Sequence, residues 1–461
     1  MRVFTKYLLF SLICLLTLGG CKKDEEKEEV GKGPDPSQPV EFSDYSPREG
    51  SVRTRFYIYG TNLGTDVSRI KVSIGGRMLN VIGASDDKVY CIVPKRTNTG
   101  EVKVVINGDD GTPLAEHVFS EEFTYVPRVS VGTLVGKVDQ YGNSAVVNGT
   151  FEEAGFNNPT WVLFERNTNS LFVVERDQLV RRVDINDRMV STLITNGQAS
   201  FKSLQTATLS FDNDTLFIVD DNGADHKNTV AIAYTLRSEN FRRVHPYLYD
   251  RTSYACAHHP VDRVMFFNTW WGGGLLKAFY DPVLGGLNSK ELFRVGGNNS
   301  IKTTIFFHPS GNFAYFLEGG CVYKSRYNWT TKELEAPIVF AGAQGFRGDV
   351  DAIGTSARFG WLYQGVFVKN PAYAGQEDEY DFYVCDVDNH SVRVVTPTGE
   401  VSTFAGKGSP SSDGKKEGYI DGDLRKEARF NKPSGIAYDA VREIFYITEM
   451  NNKRIRTISV E

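Results

Sequence analysis

The sequence predicts an all-β protein in which a small sandwich precedes a larger ring of repeated sheets. The chain has 461 residues, which is enough for more than one hydrophobic core. Its 44 Gly, 22 Tyr and 30 Phe residues favour short strands joined by tight turns. Two patterns carry the prediction: alternating apolar runs over residues 39–126, and a degenerate strand repeat over residues 127–461.

Charge and cysteine content narrow the functional classes. With a net charge of -5, the chain has no basic field that could neutralise phosphates, so nucleic acid is disfavoured as a partner. Four cysteines follow residue 21, far apart and mostly within apolar runs, and their spacing predicts buried free thiols instead of a disulfide framework. These cysteines are Cys91, Cys256, Cys321 and Cys385.

The N-terminal residues have the layout of a secretory signal peptide. Two basic residues precede an apolar run over residues 7–18, and two glycines precede Cys21. The apolar run is shorter than the roughly 20 residues that a membrane-spanning helix needs. The sequence therefore predicts a signal peptide over residues 1–20, which is favoured over a transmembrane anchor.

The string Leu-Gly-Gly-Cys at residues 18–21 resembles a bacterial lipobox, which implies cleavage before Cys21 and acylation of that cysteine. The charged residues 22–29 are similar to the flank that sends some Gram-negative lipoproteins to the outer face of the outer membrane. These resemblances imply a lipid-anchored protein that faces the cell exterior. Since charge, proline and glycine cannot build a core, residues 21–38 are predicted to be a flexible acidic linker.

Residues 39–126 alternate apolar and polar side chains in short runs that end at turn residues. Residues 56–59, 70–74 and 102–106 are typical strands, and their regular spacing predicts an immunoglobulin-like β-sandwich. The segment resembles an IPT/TIG domain, which implies a spacer or an interaction role. The motifs that carry this resemblance are Ser46-Pro47-Arg48-Glu49-Gly50, Tyr59-Gly60-Thr61-Asn62-Leu63-Gly64, Ile92-Val93-Pro94 and Phe123-Thr124-Tyr125.

From residue 127 to residue 461 a strand pattern returns at intervals. The clearest copies begin at the Ala-Arg-Phe strings of residues 357–359 and 428–430, and a weaker copy begins near Gly155. One such unit cannot bury both faces of its sheet alone, so the copies must stack. Strand repeats of roughly 40 to 50 residues are typical of propeller blades.

These strings resemble NHL repeats, which implies a β-propeller of NHL type. The middle copies, at residues 199–249, 253–295 and 301–340, keep the strand rhythm and lose most of the signature. Length then predicts about six blades. The matching strings are Ala428-Arg429-Phe430-Asn431-Lys432-Pro433-Ser434-Gly435 and Val401-Ser402-Thr403-Phe404-Ala405-Gly406.

The last copy stops at Val460 after its third strand, whereas residues 129–136 resemble the strand that it lacks. We expect residues 129–136 to pair with the last blade and close the ring. That pairing would remove two exposed sheet edges.

Acidic motifs recur at strand ends and in the loops between repeats. The Asp-x-x-Asn and Glu-x-x-Asn strings at residues 386–389 and 449–452 are predicted to bond turn backbone, since they recur in successive copies. The Asp-x-Asp pairs at residues 349–351 and 421–423 offer oxygen ligands to calcium, although turn formation is the favoured interpretation. No other metal or cofactor is predicted.

The residues for catalysis are not evident in the sequence. Cys256, His258 and His259 cluster without further ligands nearby, and His308-Pro309 occupies the matching place in the next copy. Both histidine-proline pairs are therefore predicted to be blade turns. Nucleophile-elbow, zinc-helix and P-loop motifs are missing. The sequence therefore predicts a protein that is not an enzyme.

Aromatic residues near turns are the candidate ligand-binding groups, because flat aromatic faces suit the C–H faces of sugar rings. The alternative for each is packing between blades, where aromatic side chains bury large areas. For Trp270 and Trp271, which precede three glycines, exposure and burial are equally favoured. The candidates are Trp270, Trp271, Trp329, Tyr247, Tyr249 and Trp361.

Taken together, the sequence resembles Gram-negative surface lipoproteins in which an IPT/TIG domain precedes an NHL propeller. Some of these look like glycan-binding partners of outer-membrane uptake systems. The resemblance implies non-catalytic binding of an extracellular polysaccharide or oligosaccharide, with an uptake complex as a further partner. The alternatives are a protein-interaction scaffold in an outer-membrane complex and a propeller lyase or hydrolase.

Overall fold

A computed structural model describes residues 31–94, 97–176, 179–199, 201–223, 227–270, 273–295, 302–407 and 414–460. The predicted signal peptide and Cys21 lie outside these residues. The regular elements are strands and short 3-10 turns, which confirms the all-β fold class. Within the described residues, no helix has the length and apolar character needed to cross a membrane. The 3-10 turns span Val67–Arg69, Asn196–Gln198, Arg237–Glu239, Gly354–Ser356 and Pro371–Tyr373.

The chain divides after Val126 into two compact units. The first unit is a sandwich of a four-stranded sheet, in the order β1-β3-β7-β6, and a five-stranded sheet, in the order β2-β9-β8-β4-β5. Alternating apolar residues such as Phe56, Val72 and Val104 meet between the sheets in one core. The strands are β1 (Glu41–Ser46), β2 (Glu49–Gly50), β3 (Arg55–Thr61), β4 (Ile70–Ile74), β5 (Arg77–Met78), β6 (Asn80–Ser85), β7 (Lys88–Ile92), β8 (Gly100–Asn107) and β9 (Pro113–Tyr125).

The end of the predicted flexible linker is fixed to this sandwich. The Thr65 N–H donates to the Lys32 carbonyl at 2.7 Å, and the Lys32 N–H donates to the Thr65 hydroxyl. Asn62 accepts from the Asp35 N–H and donates to the Gln38 carbonyl. Lys32, Asp35 and Gln38, which the sequence places in the predicted linker, are thus bonded to Thr65 and Asn62 of the sandwich.

The second unit consists of six sheets, which we number as blades 1 to 6, and it confirms the predicted propeller. Each blade is an antiparallel sheet whose innermost strand contacts the innermost strands of the neighbouring blades, and we count the strands of a blade outward from it. The first strand of the unit is β10 (Val129–Val135). Blade 1 comprises β11 (Gly149–Thr150), β12 (Pro159–Glu165), β13 (Ser170–Glu175), β14 (Leu179–Asp184) and β15 (Met189–Ile194). Blade 2 comprises β16 (Leu204–Leu209), β17 (Thr215–Asp220), β18 (Val230–Leu236) and β19 (His245–Tyr249). Blade 3 comprises β20 (Ser253–His258), β21 (Met265–Thr269), β22 (Gly274–Asp281) and β23 (Gly286–Arg294).

Blades 4 to 6 contain the remaining strands, and the short strands β29 and β34 extend the outer edges of blades 5 and 6. Blade 4 comprises β24 (Thr304–Phe307), β25 (Phe313–Glu318), β26 (Cys321–Asn328), β27 (Glu333–Leu334) and β28 (Ile338–Gly342). Blade 5 comprises β29 (Ala352–Ile353), β30 (Leu362–Lys369), β31 (Tyr380–Asp386), β32 (Ser391–Val395) and β33 (Glu400–Gly406). Blade 6 comprises β34 (Gly422–Asp423), β35 (Pro433–Asp439), β36 (Ile444–Glu449) and β37 (Arg454–Val460), together with β10.

The ring closes as the sequence predicts. Strand β10 pairs antiparallel with β37, from Val129 opposite Val460 to Val135 opposite Ile455. Val131 is buried in the same core as Ile436 and Ile447 of blade 6. The sixth blade is therefore assembled from both ends of the propeller unit.

The recurring acidic residues belong to three buried ion clusters, one each in blades 1, 5 and 6. In blade 5 the guanidinium of Arg393 donates to Asp386 at 3.0 Å and to Asp351 at 2.6 Å. The Gly360 N–H and the Asn389 amide also donate to Asp386, as the turn-bonding prediction requires. Arg393 is 0% exposed, so burial in each cluster depends on close pairing of opposite charges.

Three of the four candidate calcium ligands are paired with cations. Asp351 pairs with Arg393, and Asp421 pairs with Arg456 at 2.5 Å. Asp349 is bonded to Lys407 and Lys416. Asp423 accepts from the backbone of the following turn, as the turn preference predicts. Burial competes with this pairing, yet the pKa of both Asp349 and Asp351 is lowered, which keeps the two carboxylates charged.

His259, His308 and the four cysteines after residue 21 have structural roles. His259 Nδ1 accepts from the Asp262 N–H, and His308 Nδ1 bonds to the Ser310 hydroxyl, so both histidine-proline pairs form blade turns as predicted. The four cysteines after residue 21 are buried free thiols, which confirms that prediction. Burial raises the pKa of the Cys321 thiol to about 11 and the pKa of the Cys91 thiol to about 12, so neither is a reactive thiolate.

Candidate functional site

The second strand of each blade ends on the same side of the ring, which we call the upper face. In blades 1, 2, 3, 5 and 6 the residue that follows this strand donates its N–H to the carbonyl just before the innermost strand of the same blade. The repeated bond places these five residues at equivalent positions around the ring. The donors and acceptors are Arg176 and Asn158, Asp221 and Ser203, Trp270 and Thr252, Val387 and Trp361, and Met450 and Lys432.

Two of the predicted tryptophans meet on this face across a lysine. The ammonium group of Lys302 lies 5.2 Å from the ring centroid of Trp270 and 5.9 Å from that of Trp361. Both indoles are half-buried, whereas Lys302 is exposed. The three residues come from consecutive blades 3, 4 and 5. They form an amphipathic patch with two aromatic faces and one cation.

Opposite charges continue this patch toward blades 1 and 2. Burial raises the pKa of Asp221, and the positive charges of Arg176 and Lys302 oppose that rise. Burial and the charge of Arg176 lower the pKa of Lys302, which Asp221 opposes. The upper face therefore presents both hydrogen-bond acceptors and donors beside its aromatic rings.

Buried polar and aromatic side chains form the floor of the patch. The ring centroid of Tyr254 lies 5.8 Å from that of Trp270 and 6.3 Å from that of Tyr363. The ring centroid of Tyr363 lies 5.3 Å from that of Trp361. The Tyr363 hydroxyl donates to the Gln205 carbonyl of blade 2 at 3.1 Å. These contacts across the axis support the two indoles from below, so the patch rests on a rigid base.

The remaining predicted ligand-binding residues lie elsewhere, and Trp271 is outside the described residues. Trp329 is 44% exposed and packs edge-on against Tyr327, next to the turns on the opposite, lower face. Tyr247 packs against Phe217 within blade 2. Tyr249 ends strand β19 and is 53% exposed. The structure therefore brings together Trp270 and Trp361, and it separates them from Trp329, Tyr247 and Tyr249.

A cavity of about 380 Å³ opens on the lower face. Its lining is largely apolar and includes Phe211, His258, Phe306 and Phe367. Burial lowers the pKa of His258 to about 4, so this imidazole is neutral near pH 7. The lower cavity thus has fewer polar groups for orienting a hydroxylated ligand than the upper patch.

Sequence reasoning missed Lys302, Arg176 and Asp221. Arg176 and Asp221 directly follow the second strands of blades 1 and 2, and Lys302 lies two residues before the innermost strand of blade 4, so the strand pattern carried a signal for them. These positions could be recognised from the sequence only in copies that keep the NHL signature, and the middle copies have lost most of it. Among the described residues, no group of three or more His, Cys, Asp or Glu side chains has the arrangement of a metal site.

Comparison with known proteins supports both units. The IPT/TIG domain family matches residues 39–125. A segment of 116 residues is 28% identical to NHL repeat-containing protein 2 of Bos taurus. That segment is 25% of this chain and 14% of the bovine protein, so the match spans a small part of the relative.

Three solved structures resemble nearly the whole chain. An auxiliary nutrient binding protein from Bacteroides thetaiotaomicron is 36% identical, with a TM-score of 0.74, over 93% of this chain and 99% of its own. A protein of the same description from Bacteroides ovatus is 34% identical, with a TM-score of 0.73, over 93% and 100%. Another Bacteroides thetaiotaomicron structure, provisionally described as a phosphatase, is 30% identical, with a TM-score of 0.71, over 94% and 99%. From its sequence and both of its units, this chain belongs to the same family as the Bacteroides auxiliary nutrient binding proteins.

Proposed function

We propose that the protein binds a glycan without catalysis at the upper face of its propeller, between Trp270 and Trp361. The observation that carries the proposal is the placement of two half-buried indoles on either side of Lys302. Aromatic faces contribute apolar contact to the C–H surface of a sugar ring. Lys302, Arg176 and Asp221 supply donors and acceptors for its hydroxyl groups.

Three further observations support this proposal. Two of the three related Bacteroides structures are described as nutrient binding proteins, which agrees with a binding role. The carboxylates that would be needed for acid–base chemistry are mostly committed elsewhere: Asp386 and Glu449 are 0% exposed and paired with arginines. A rigid floor beneath the indoles also limits the entropy that binding would cost.

A Trp270→Ala/Trp361→Ala double variant tests the proposal. Affinity electrophoresis of the purified protein through gels that contain individual polysaccharides should show retardation by at least one of them. We expect the double variant to lose at least about 10-fold in affinity, which corresponds to about 1.4 kcal/mol. Truncation removes both aromatic faces while leaving the polar groups in place.

Trp329→Ala is the matched control, since it removes an indole from the lower face. It should bind as the unmodified protein does. Equal retardation of the double variant and the unmodified protein would refute binding at the upper face. Product release from a retarding polysaccharide would refute the non-catalytic role. Thermal unfolding of each variant separates lost binding from lost folding, because Trp270 packs against buried Tyr254.

We further propose that Cys21 is acylated and tethers the protein to the outer membrane, facing outward. The signal-like layout of residues 1–21 supports this proposal. In Gram-negative cells fed an alkyne-bearing fatty acid, the protein should become labelled and should be recovered with the membrane fraction. A Cys21→Ser variant should lose the label completely and should leave that fraction. Labelling of the variant at the unmodified level would contradict the assignment.

A further inference from the structure

The ion clusters of blades 1, 5 and 6 share one geometry. In each of these blades the second strand ends in an acidic residue. An arginine on the third strand pairs with the residue two positions before that acid. Each guanidinium bonds to that acid, and its central carbon lies over the ring of a buried phenylalanine, at the distances to the ring centroid that follow. The three sets are Arg181 with Glu175 and Phe156 at 5.2 Å, Arg393 with Asp386 and Phe359 at 5.1 Å, and Arg456 with Glu449 and Phe430 at 5.2 Å.

Blade 2 keeps the acid and the phenylalanine but has no arginine at the matching position. Asp220 ends its second strand. Ile218, two positions before Asp220, pairs with Ala233, so Ala233 stands where the other blades have the arginine. The Lys202 N–H, which directly follows Phe201, donates to Asp220, as the Asn431 N–H after Phe430 donates to Glu449. Blades 3 and 4 fill this position with the larger side chains Leu276 and Tyr323.

The missing side chain leaves a cavity of about 240 Å³ in blade 2. It is lined by Phe201, Asp220 and Ala233, and Tyr249 stands at its open side with 53% exposure. The volume is well above the ~15 Å³ that one water needs, and below the ~300 Å³ of the smallest typical drug-sized pockets. It therefore fits a single chemical group better than a whole oligosaccharide.

Asp220 gives this cavity a buried carboxylate, whose pKa is raised by burial while bonds from the Lys202 and Ser203 backbone oppose the rise. Asp220 is 8% exposed, and no ion pair joins it to a cation within the part of the chain that the structure describes. The backbone N–H groups of Lys202 and Ser203 are the donors to its carboxylate there. A buried carboxylate without a cation is unfavourable, so a positively charged group that enters the cavity would be stabilised.

We propose that this blade 2 cavity is a binding site for the guanidinium group of an external ligand, which takes the place that arginine occupies in blades 1, 5 and 6. Asp220 accepts from the guanidinium and Phe201 lies against its plane. Tyr249 covers the entering alkyl chain and adds a cation–π contact at the mouth. This site lies where the second strand of blade 2 ends, and its lining includes neither Trp270 nor Trp361, so it does not depend on glycan binding between them.

Saturation-transfer NMR of the purified protein with butylguanidinium tests the site, because this probe reproduces an arginine side chain without its backbone. We expect saturable binding in the millimolar range. Ala233→Arg should abolish it and should raise the unfolding temperature, since the new side chain completes the cluster. Asp220→Asn should weaken binding at least 10-fold, and this variant serves if Ala233→Arg fails to fold. The Trp270→Ala/Trp361→Ala variant should bind the probe normally, so failure of one site is distinguishable from failure of the other.

Several results would overturn the assignment. These are the absence of saturable binding, equal binding by Asp220→Asn and the unmodified protein, and undiminished binding by a folded Ala233→Arg variant. Equally tight binding of butylammonium would overturn the preference for guanidinium, because an ammonium lacks the planar fork that matches a carboxylate.

Discussion

Replacing Arg393 with methionine is expected to lower the free energy of unfolding of the propeller by about 3–5 kcal/mol. Methionine keeps much of the packing volume but removes the charge between Asp386 and Asp351. Asp386 is 0% exposed, so its carboxylate would remain buried without a cation. Urea unfolding of the variant and of the unmodified protein measures the difference.

This loss should depend on pH. Burial raises the pKa of Asp386 to about 6 even though Asn389 and Arg393 oppose the rise. Without the guanidinium the folded-state pKa rises further above the unfolded value near ~3.9. A raised folded-state pKa means that stability is retained below the unfolded value and lost as pH rises through the folded one. The deficit should therefore be smaller at pH 5 than at pH 8.

Arg347→Met is the matched control, because Arg347 is exposed and its pair with Asp388 spans 3.4 Å at the surface. Its loss should cost less than about 1 kcal/mol. Similar losses for the two variants, or a deficit in Arg393→Met that grows on acidification, would contradict the role assigned to the ion cluster.

Replacing Val131 with aspartate should destabilise the propeller by about 4 kcal/mol or more, a large part of the ~5–15 kcal/mol that holds a domain folded. Val131 is 1% exposed and pairs with Ile458, so the substitution buries a charge in the sheet that closes the ring. In calorimetry, the unfolding transition of the propeller should move to lower temperature while that of the sandwich stays in place.

Val129→Asp is the control on the same strand, since Val129 is 41% exposed. It should change the stability by less than about 1 kcal/mol. Deleting residues 129–136 should match or exceed the effect of Val131→Asp. An unchanged propeller transition after the deletion would show that the paired strands contribute nothing to closure.

The architecture was predictable because its determinants are local and repeated. The strand rhythm of the middle blades survived the loss of the NHL signature, and the missing last strand pointed to residues 129–136. The roles of the acids were only partly predictable. Bonding of Asp386 to turn backbone followed from its position, whereas its partner Arg393 is brought close by pairing between strands.

The candidate site was predicted less well than the fold. Trp270 and Trp361 are far apart in the chain, and only the ring geometry places Lys302 between them. The vacancy at Ala233 was also beyond sequence reasoning, since it is recognised by comparing strand registers between blades. The bonds of Asn62 to Asp35 and Gln38 were also beyond sequence reasoning, because composition does not report which backbone groups a side chain can reach.

The pairing of β10 with β37 also constrains when the propeller can form. The Thr133 hydroxyl bonds to Asp421, which lies 288 positions further along the chain. During synthesis, the early strand must wait without its partner while five complete blades emerge. Contacts between such distant residues slow folding. The waiting strand exposes unpaired backbone groups, so a nascent chain held at this stage would be a natural substrate for chaperones.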